Sequence, residues 1–203
     1  MNPSGDLKPY FDKLAGEGYF ATFDPEEGRV ARSLISRMAI RPGMRLIEPG
    51  CGSGRFSRML AEAVGPEGEV LAVDVSPRFI EKARSITCPE WLRFECMDFL
   101  VASTLKNGWD GVVFFNVFPH LAHGKSLELA RGLLQPEGKI WILHSCSRNK
   151  VNDIHRGASC PGLHHHLLPE NDTLFRLLEE AGFSVKTLLD EETFFYCEAV
   201  PAS

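Results

Sequence analysis

The chain of 203 residues is 44% hydrophobic and 24% charged, with a formal net charge of −5 at pH 7. This length and composition suit one globular domain with a sizeable core. The acidic balance and the lack of a Lys or Arg run argue against a broad nucleic-acid-binding face, because phosphate neutralisation needs clustered cations.

Targeting signals and cysteine pattern predict the compartment. The N-terminus lacks the basic segment and apolar core of a signal peptide, and no stretch approaches the roughly 20 apolar residues of a membrane span. Six cysteines are scattered without a CxxC pair, which is typical of reduced thiols. We therefore expect a cytoplasmic protein that binds neither a membrane nor nucleic acid.

Residues 1–40 are expected to form a helical lead-in. A helix is predicted over 25–39, beginning after Asp24, and the segment before it carries the aromatic residues Tyr10, Phe11, Tyr19, Phe20 and Phe23. Strands and helices then alternate without an internal repeat, so we expect a single domain over residues 1–203.

A glycine-rich turn directly after a strand is the most informative feature of the chain. Residues 44–56 read MRLIEPGCGSGRF, with an apolar strand over 44–48, glycines at 50, 52 and 54, and a helix over 55–64. Glycines let the backbone turn sharply and approach a ligand without a Cβ in the way. The helix N-terminus offers unpaired N–H groups to polar ligand atoms. This order of elements is typical of a nucleotide-type site in a doubly wound α/β fold.

Acidic residues accompany this turn and the strands after it. Glu48 lies two positions before Gly50, and the next predicted strand, 69–74, ends at Asp74, where a ribose diol would be held. The G-x-G-x-G spacing differs from the dinucleotide fingerprint G-x-G-x-x-G. Three further strands are predicted, over 91–96, 110–116 and 138–145.

These segments together resemble the class I S-adenosylmethionine-dependent methyltransferases, whose first motif typically reads acidic-x-G-x-G-x-G. Four more segments continue the resemblance in family order: VLAVDVSPRFIEKAR (70–84), FECMDF (94–99), WDGVVFFNVFPHL (109–121) and LLQPEGKIWILH (133–144). The resemblance implies that the cofactor is S-adenosylmethionine (SAM).

The same resemblance implies roles for individual residues. Gly50, Gly52 and Gly54 would line the methionine and ribose portion, and Glu48 would organise the loop and the amino end of the cofactor. Asp74 would accept hydrogen bonds from the ribose hydroxyls, which are strengthened by its charge. The adenine would lie among Val75, Asp98 and Phe99, and Asn116 would reach the rim near the sulfonium.

Alternative roles remain open for three of these residues. Asp74 and Asp98 are both candidates for a helix N-cap, although Ser76 before Pro77 fits the cap after the second strand better than Asp74. Asn116 is equally consistent with a plain polar loop residue.

The last elements complete the sheet. A helix is predicted over 169–181, with Gly182 as a stop signal, and strands over 183–189 and 193–200. Strands linked by helices imply a mostly parallel sheet, whereas the short link 190–192 makes the last pair a hairpin. We therefore expect a doubly wound α/β fold whose seven-stranded sheet has an antiparallel last strand, the ending that the resembled family has.

The insert 144–169 contains five of the seven histidines. Three hypotheses about its role are considered. The first is a substrate pocket in which Arg148 binds an anionic group, His155 or His120 acts as base or orienter, and His144 and Asn152 bind substrate. The second is a transition-metal site built from His144, Cys146, His155, Cys160 and 164–166. The third is a solvated surface loop. Placement at the ligand-facing edge of the sheet favours the first, without a metal.

Three functional classes are weighed, and a fourth stays open beside them. A methyltransferase acting on a small-molecule acceptor by in-line displacement is favoured by compact size and acidic charge. A nucleic-acid or protein methyltransferase is second, since NVFPH (116–120) stands where amino-directed nucleic-acid enzymes carry an N-P-P-Y-type motif. A nicotinamide oxidoreductase is disfavoured by the glycine spacing, and a non-catalytic SAM-binding protein stays open.

Overall fold

A computed structural model describes residues 3–202, and their side chains except those of residues 3–6 and 102–104. The strands are β1 (Arg45–Pro49), β2 (Glu69–Asp74), β3 (Leu92–Cys96), β4 (Trp109–Phe115), β5 (Leu134–His144), β6 (Phe183–Glu191) and β7 (Phe194–Pro201). The α-helices are α1 (Pro3–Gly16), α2 (Pro25–Arg37), α3 (Arg55–Val64), α4 (Pro77–Ser85), α5 (His123–Leu133), α6 (Arg148–Arg156) and α7 (Asn171–Glu180). Short 3-10 turns lie at Phe99–Thr104, Phe118–His120 and Pro161–His165. None of the described helices is long and apolar enough to cross a membrane.

The strands form one seven-stranded sheet in the order β3-β2-β1-β4-β5-β7-β6. Neighbours from β3 to β5 are parallel, whereas β7 pairs antiparallel with both β5 and β6. This confirms the doubly wound, mostly parallel sheet with an antiparallel last strand. The carboxyl ends of β1, β2, β4 and β5 consequently share one edge, where ligands bind in folds of this kind.

Both faces of the sheet are buried. Val113 and Phe114 are neighbours on β4, yet they belong to different apolar clusters because successive side chains point to opposite faces. Helices α5 and α7 supply Leu127 and Leu178 to the Phe114 cluster, and α3 supplies Leu60 to the other. A sheet covered on both faces holds the strand ends at that edge rigidly.

Helix boundaries follow the capping residues in the sequence. Asp24 caps α2 by accepting hydrogen bonds from the backbone nitrogens of Glu26 and Glu27 at 2.9 and 3.0 Å. Ser76 caps α4 by accepting one from the Phe79 nitrogen at 3.2 Å, as predicted. Gly182 follows α7 with φ of +78°, a left-handed conformation that stops the helix.

The insert 144–169 contains regular structure. Ser147 caps α6, and Arg148, Val151 and Asn152 of this helix are buried. The prediction of a solvated surface loop is therefore wrong for this part of the insert. β5 also begins at Leu134, four residues before the predicted start at 138, because Leu134 pairs with Trp109 ahead of an irregularity in the β4–β5 ladder.

The lead-in 1–40 contains two helices, and the first lies across the ligand-facing edge. Helix α1 contacts α4 and the 3-10 turn Pro161–His165. The Ser76 hydroxyl donates to Asp12 of α1 at 2.5 Å, and the Lys82 ammonium donates to the Ala15 carbonyl oxygen. These contacts hold α1 over the site described next.

Candidate functional site

A cavity of about 380 Å³ opens at the carboxyl ends of β1, β2, β4 and β5. All the residues that sequence analysis assigned to the cofactor line it except Gly54. We call the part around Glu48, Gly52 and Asp74 the glycine end. The part lined by Tyr10, Phe11, Leu14, His120, Ile154 and His155 is the histidine end.

The three glycines of the turn all have positive φ, but the surroundings of each glycine differ. Gly50 has φ of +68°, and a Cβ there would lie 2.1 Å from Val117 Cγ2, so the turn packs closely on the end of β4. Gly52 has φ of +55° and open space around a Cβ, so its backbone faces the cavity. Gly54 has φ of +75°, and a Cβ there would lie 2.5 Å from the Phe94 ring. The prediction that Gly54 lines the cofactor is therefore corrected, because this glycine lets α3 pack on β3.

Asp74 ties the end of β2 to the glycine turn. Its carboxylate accepts hydrogen bonds from the Gly52 nitrogen at 2.9 Å and the Ser76 nitrogen at 2.8 Å. A carboxylate has about four lone-pair sites, so it can still accept from the two hydroxyls of a ribose. Burial is the largest influence on the Asp74 pKa and raises it, while these backbone donors lower it.

Glu48 is the most deeply buried acid of the glycine end, with 1% of its surface exposed. Burial, together with the negative charge of the nearby Asp74, raises the pKa of Glu48 to about 8. Its Oε2 atom has no hydrogen-bond partner among the described residues. A buried acceptor of this kind suits a cationic donor such as the ammonium of a methionine moiety.

Val75, Asp98 and Phe99 line the same cavity as Asp74. Asp98 accepts a hydrogen bond from the Leu100 nitrogen at 2.9 Å, so it caps the 3-10 turn Phe99–Thr104 while also lining the cavity. Phe99 is buried and packs edge-on against Phe114 with ring centroids 5.8 Å apart. These residues form an apolar slot with one carboxylate, which fits a flat heterocycle bearing an amino group.

Asn116 joins the ends of β4 and β5. It has φ of +52°, uncommon for a residue other than glycine. Its amide donates to Ser145 Oγ at 2.9 Å and accepts from the Ser145 nitrogen at 2.9 Å. Ser145 Oγ in turn donates to Glu27 at 3.2 Å, and Glu27 pairs with Arg55 at 2.9 Å. Asn116 is thus part of a polar network that lines the cavity.

Glu27, Arg55 and Ser145 were missed by sequence reasoning although all three line the cavity. Glu27 comes from the first turn of α2 and Arg55 from the first turn of α3, which are 28 positions apart. Glu27 and Arg55 come together only because α2 packs on α3. No local sequence pattern therefore identifies them as site residues.

Aromatic residues of the lead-in were also missed as cavity residues. Tyr10, Phe11 and Leu14 of α1 line the histidine end together with Ile154 and His155 of α6. The signal in the sequence was the high density of aromatic residues in a short polar segment. An isolated helix does not need so many aromatic side chains, so their number indicated a contact with another part of the protein.

His120 is the centre of a histidine cluster. Its ring centroid lies 4.8 Å from that of His155, 5.6 Å from that of His166 and 5.1 Å from that of Phe11. Burial lowers the pKa of His120 well below its usual range, and the neighbouring histidines lower it further. The ring is therefore neutral at pH 7.

His155 is held in one tautomer. Its Nδ1 atom contacts the backbone carbonyl oxygen of His166, and because a carbonyl only accepts, Nδ1 carries the proton. The Nε2 atom of the neutral ring is then a proton acceptor. Burial lowers the pKa of His155, while the His166 carbonyl raises it. The arrangement gives the histidine end a neutral imidazole whose Nε2 atom can accept a hydrogen bond.

His144 ends β5 and also lines the cavity. It is 3% exposed, and burial followed by the repulsion of His155 lowers its pKa to about 3. Its Nε2 atom has no hydrogen-bond partner within the part of the chain that the structure describes. This neutral ring can exchange a hydrogen bond with a ligand but cannot bind an anion as a cation.

Arg148 and Asn152 do not line the cavity, which corrects their prediction as substrate-binding residues. The Arg148 guanidinium lies 3.3 Å from Asp190 and 3.5 Å from Glu170, and it stacks over Phe195. Asn152 exchanges two hydrogen bonds with the backbone of Leu168, at 2.8 and 3.1 Å. Both side chains point inward from α6 and fix this helix to the hairpin and the end of the insert.

The metal alternative gains no support from the geometry. Among the residues whose side chains the structure describes, no group of three or more His, Cys, Asp or Glu residues is placed so that it could hold a metal ion.

Comparison with known proteins places this geometry in context. The model of a family described as a methyltransferase domain matches residues 40–182. Phosphoethanolamine N-methyltransferase 1 of Zea mays is 26% identical over 86% of the chain. The tRNA (adenine(58)-N(1))-methyltransferase TrmI of Thermus thermophilus is 29% identical over 56% of it. The matches cover 34% and 44% of these two relatives, so the chain spans less than half of their length.

Solved structures share the fold. A SAM-dependent methyltransferase from Aquifex aeolicus superposes with a TM-score of 0.71 at 18% identity, covering 96% of this chain and 98% of that one.

Proposed function

The chain belongs to the SAM-dependent methyltransferase family, and on this premise we propose that it transfers the methyl group to a small-molecule acceptor. The observation that carries the proposal is that apolar and aromatic side chains of both α1 and α6 line the histidine end, beside His120 and His155. The whole cavity of about 380 Å³ must hold cofactor and acceptor together, near the lower end of ordinary ligand pockets. A bulky acceptor would have to displace α1.

The glycine end fits the cofactor by its chemistry. We propose that the unpartnered Glu48 Oε2 binds the ammonium, Asp74 the ribose diol, and Val75, Asp98 and Phe99 the adenine. Asn116 would position the methionine side near the sulfonium through its network with Ser145 and Glu27. When bound, SAM supplies a methyl group that is already activated for in-line displacement.

The histidine end would do the remaining work. Transfer then depends on proximity, alignment and exclusion of water, which the apolar residues of α1 and α6 provide. We propose that Nε2 of His155 takes up the proton that the methyl acceptor loses. His120 would orient the methyl acceptor. A neutral histidine is suited to this task near pH 7.

A nucleic-acid acceptor is the second candidate, because one relative is a tRNA methyltransferase. Electrostatics disfavour it. Among the described residues that line the cavity, Arg55 is the only Lys or Arg, and its charge is paired with Glu27 at 2.9 Å. A phosphate backbone would meet no available cation there.

The partition of labelled methyl groups tests the proposal. The purified chain is incubated with methyl-labelled SAM and a cell extract that is afterwards separated into metabolite, RNA and protein fractions. We expect the label in the metabolite fraction. Label confined to RNA or protein would overturn the small-molecule proposal while leaving the family assignment intact.

A further inference from the structure

The walls of the histidine end are apolar and aromatic on three sides. Tyr10, Phe11 and Leu14 come from α1, Leu121 follows the 3-10 turn Phe118–His120, and Leu163 lies in the turn Pro161–His165. Ile154 of α6 lines the cavity as well and is 56% exposed, so it stands where the cavity meets solvent. These surfaces suit an apolar ring or chain.

None of the described residues around the same space offers an available positive charge to an anionic ligand. Arg55 is paired with Glu27, and Arg148 is committed to Asp190 and Glu170 away from the cavity. The three histidines that line it are neutral at pH 7, because burial lowers the pKa of each. A carboxylate or phosphate would therefore lose its hydration without gaining an ion pair, which is strongly unfavourable.

Two histidine nitrogens instead point to a hydrogen-bond donor. His155 Nε2 is a lone-pair acceptor because Nδ1–H is bound to the His166 carbonyl. His144 lines the same cavity, and its Nε2 atom is buried without a partner among the described residues. A buried polar atom such as His144 Nε2 is normally paired, and together with the acceptor His155 Nε2 it favours a ligand with a polar hydrogen.

From these observations we infer that the histidine end binds an uncharged aromatic alcohol, a phenol with an apolar ring substituent, as the methyl acceptor. This inference rests on the proposed function and names its substrate class. The ring would pack against Tyr10 and Phe11, and the hydroxyl would donate to His155 Nε2. A phenol has a pKa near that of tyrosine, about 10, so it enters uncharged and needs a base.

The transfer step balances with this base. The phenolic proton passes to His155 Nε2, and an oxygen lone pair forms the new O–CH₃ bond. The C–S bond breaks at the same time, its electron pair stays on sulfur, and the sulfonium becomes a neutral thioether. The imidazolium then releases its proton to water, which restores the neutral ring.

Binding of matched probes tests the inference without requiring turnover. The full chain is saturated with S-adenosylhomocysteine and titrated calorimetrically with 4-propylphenol, 4-propylbenzoate and 4-propylphenyl phosphate. We expect the phenol to bind at least about tenfold more tightly than either anion, a difference of about 1.4 kcal/mol. Equal or tighter binding of an anion, or no binding of the phenol, would overturn the inference.

A charge introduced at the mouth provides a second, independent arm. Ile154→Lys places an ammonium beside the cavity. The variant should bind 4-propylbenzoate more tightly than the wild type does, and more tightly than it binds 4-propylphenol. Phe175→Lys on α7 is the matched control, since Phe175 is 41% exposed and does not line the cavity. An unchanged preference in folded Ile154→Lys would place the probe elsewhere and overturn the inference.

The two proposals fail separately. Label that enters metabolites, combined with absent phenol binding, rejects the acceptor class and leaves the small-molecule function standing. Label that enters only RNA or protein rejects the small-molecule function whatever the phenol does.

Discussion

The Asp74 carboxylate accepts a hydrogen bond from the Gly52 nitrogen at 2.9 Å, which makes the end of β2 and the glycine turn one unit. The second carboxylate oxygen accepts from Ser76, the N-cap of α4. Asp74, the residue proposed to bind the ribose, thus also stabilises the conformation of the glycine turn.

Asp74→Ala should therefore show two effects. SAM affinity should fall by about 1.5–3 kcal/mol, the range for a hydrogen bond to a charged group, and the free energy of unfolding should fall by about 1–3 kcal/mol because buried N–H groups lose their acceptor. Calorimetric titration and urea unfolding measure the two. Asp24→Ala, which removes only a helix cap, should lower stability by about 1 kcal/mol and leave affinity unchanged. Normal affinity in folded Asp74→Ala would mean that the ribose is held elsewhere.

Gly52 and Gly54 form a matched pair for separating ligand contact from packing. Gly54→Ala brings a Cβ to 2.5 Å from the Phe94 ring at a positive φ, and should lower the free energy of unfolding by about 2–4 kcal/mol. Gly52→Ala meets no atom within 4 Å, so only the backbone strain of about 1–2 kcal/mol applies.

SAM affinity should show the opposite ranking, because only Gly52 lines the cavity. Titration of both variants at a temperature where each is folded makes the comparison. A Gly52→Ala protein that binds SAM as tightly as Gly54→Ala would contradict the assignment.

Glu48 should make both stability and SAM affinity depend on pH. Its pKa is raised from 4.5 to about 8 by burial, so the folded chain holds a proton that the unfolded chain releases. The free energy of unfolding of the cofactor-free protein should therefore decrease as pH rises from about 4.5 to about 8.

Binding of the SAM ammonium favours ionised Glu48 and so releases this proton. SAM affinity should rise between pH 6 and 7.5 by up to about tenfold per pH unit, the limit for one proton. Calorimetry in buffers of different ionisation enthalpy counts the protons released. Glu48→Gln should bind more weakly and lose this slope, whereas a Glu48→Gln slope equal to that of the wild type would refute the role of Glu48.

Arg148 is expected to support the fold and not the site. Its guanidinium is 6% exposed between Asp190 and Glu170, so Arg148→Ala should lower the free energy of unfolding by about 1–3 kcal/mol, less than for a fully buried pair. SAM affinity should be unchanged. Arg156→Ala removes an exposed pair with Asp153 on the same helix and should cost less than about 1 kcal/mol. Equal stability of the two variants would refute this role.

The features that could be predicted from the sequence are those that depend on local patterns. The glycine turn, the acids at the strand ends and the Ser76 cap were predicted because each depends on residues close together in the chain. Gly54 was misassigned, since only the position of Phe94 on β3 reveals that a Cβ there would clash. Arg148 was misassigned because its partners lie 22 and 42 positions away. The Glu27–Arg55 pair and the α1 wall of the histidine end likewise depend on tertiary packing that no motif records.

The central claim is that the cavity divides into a glycine end for the cofactor and a histidine end with a neutral base. Comparison of His155→Gln with His165→Gln, whose side chain is exposed, tests it most directly, using SAM affinity and turnover on the labelled metabolite fraction. We predict that His155→Gln lowers turnover by about 10²–10⁴-fold, loses the acidic limb of the pH–rate profile and keeps its SAM affinity, while His165→Gln retains activity. A folded His155→Gln protein with unchanged turnover and an unchanged pH profile would contradict the account.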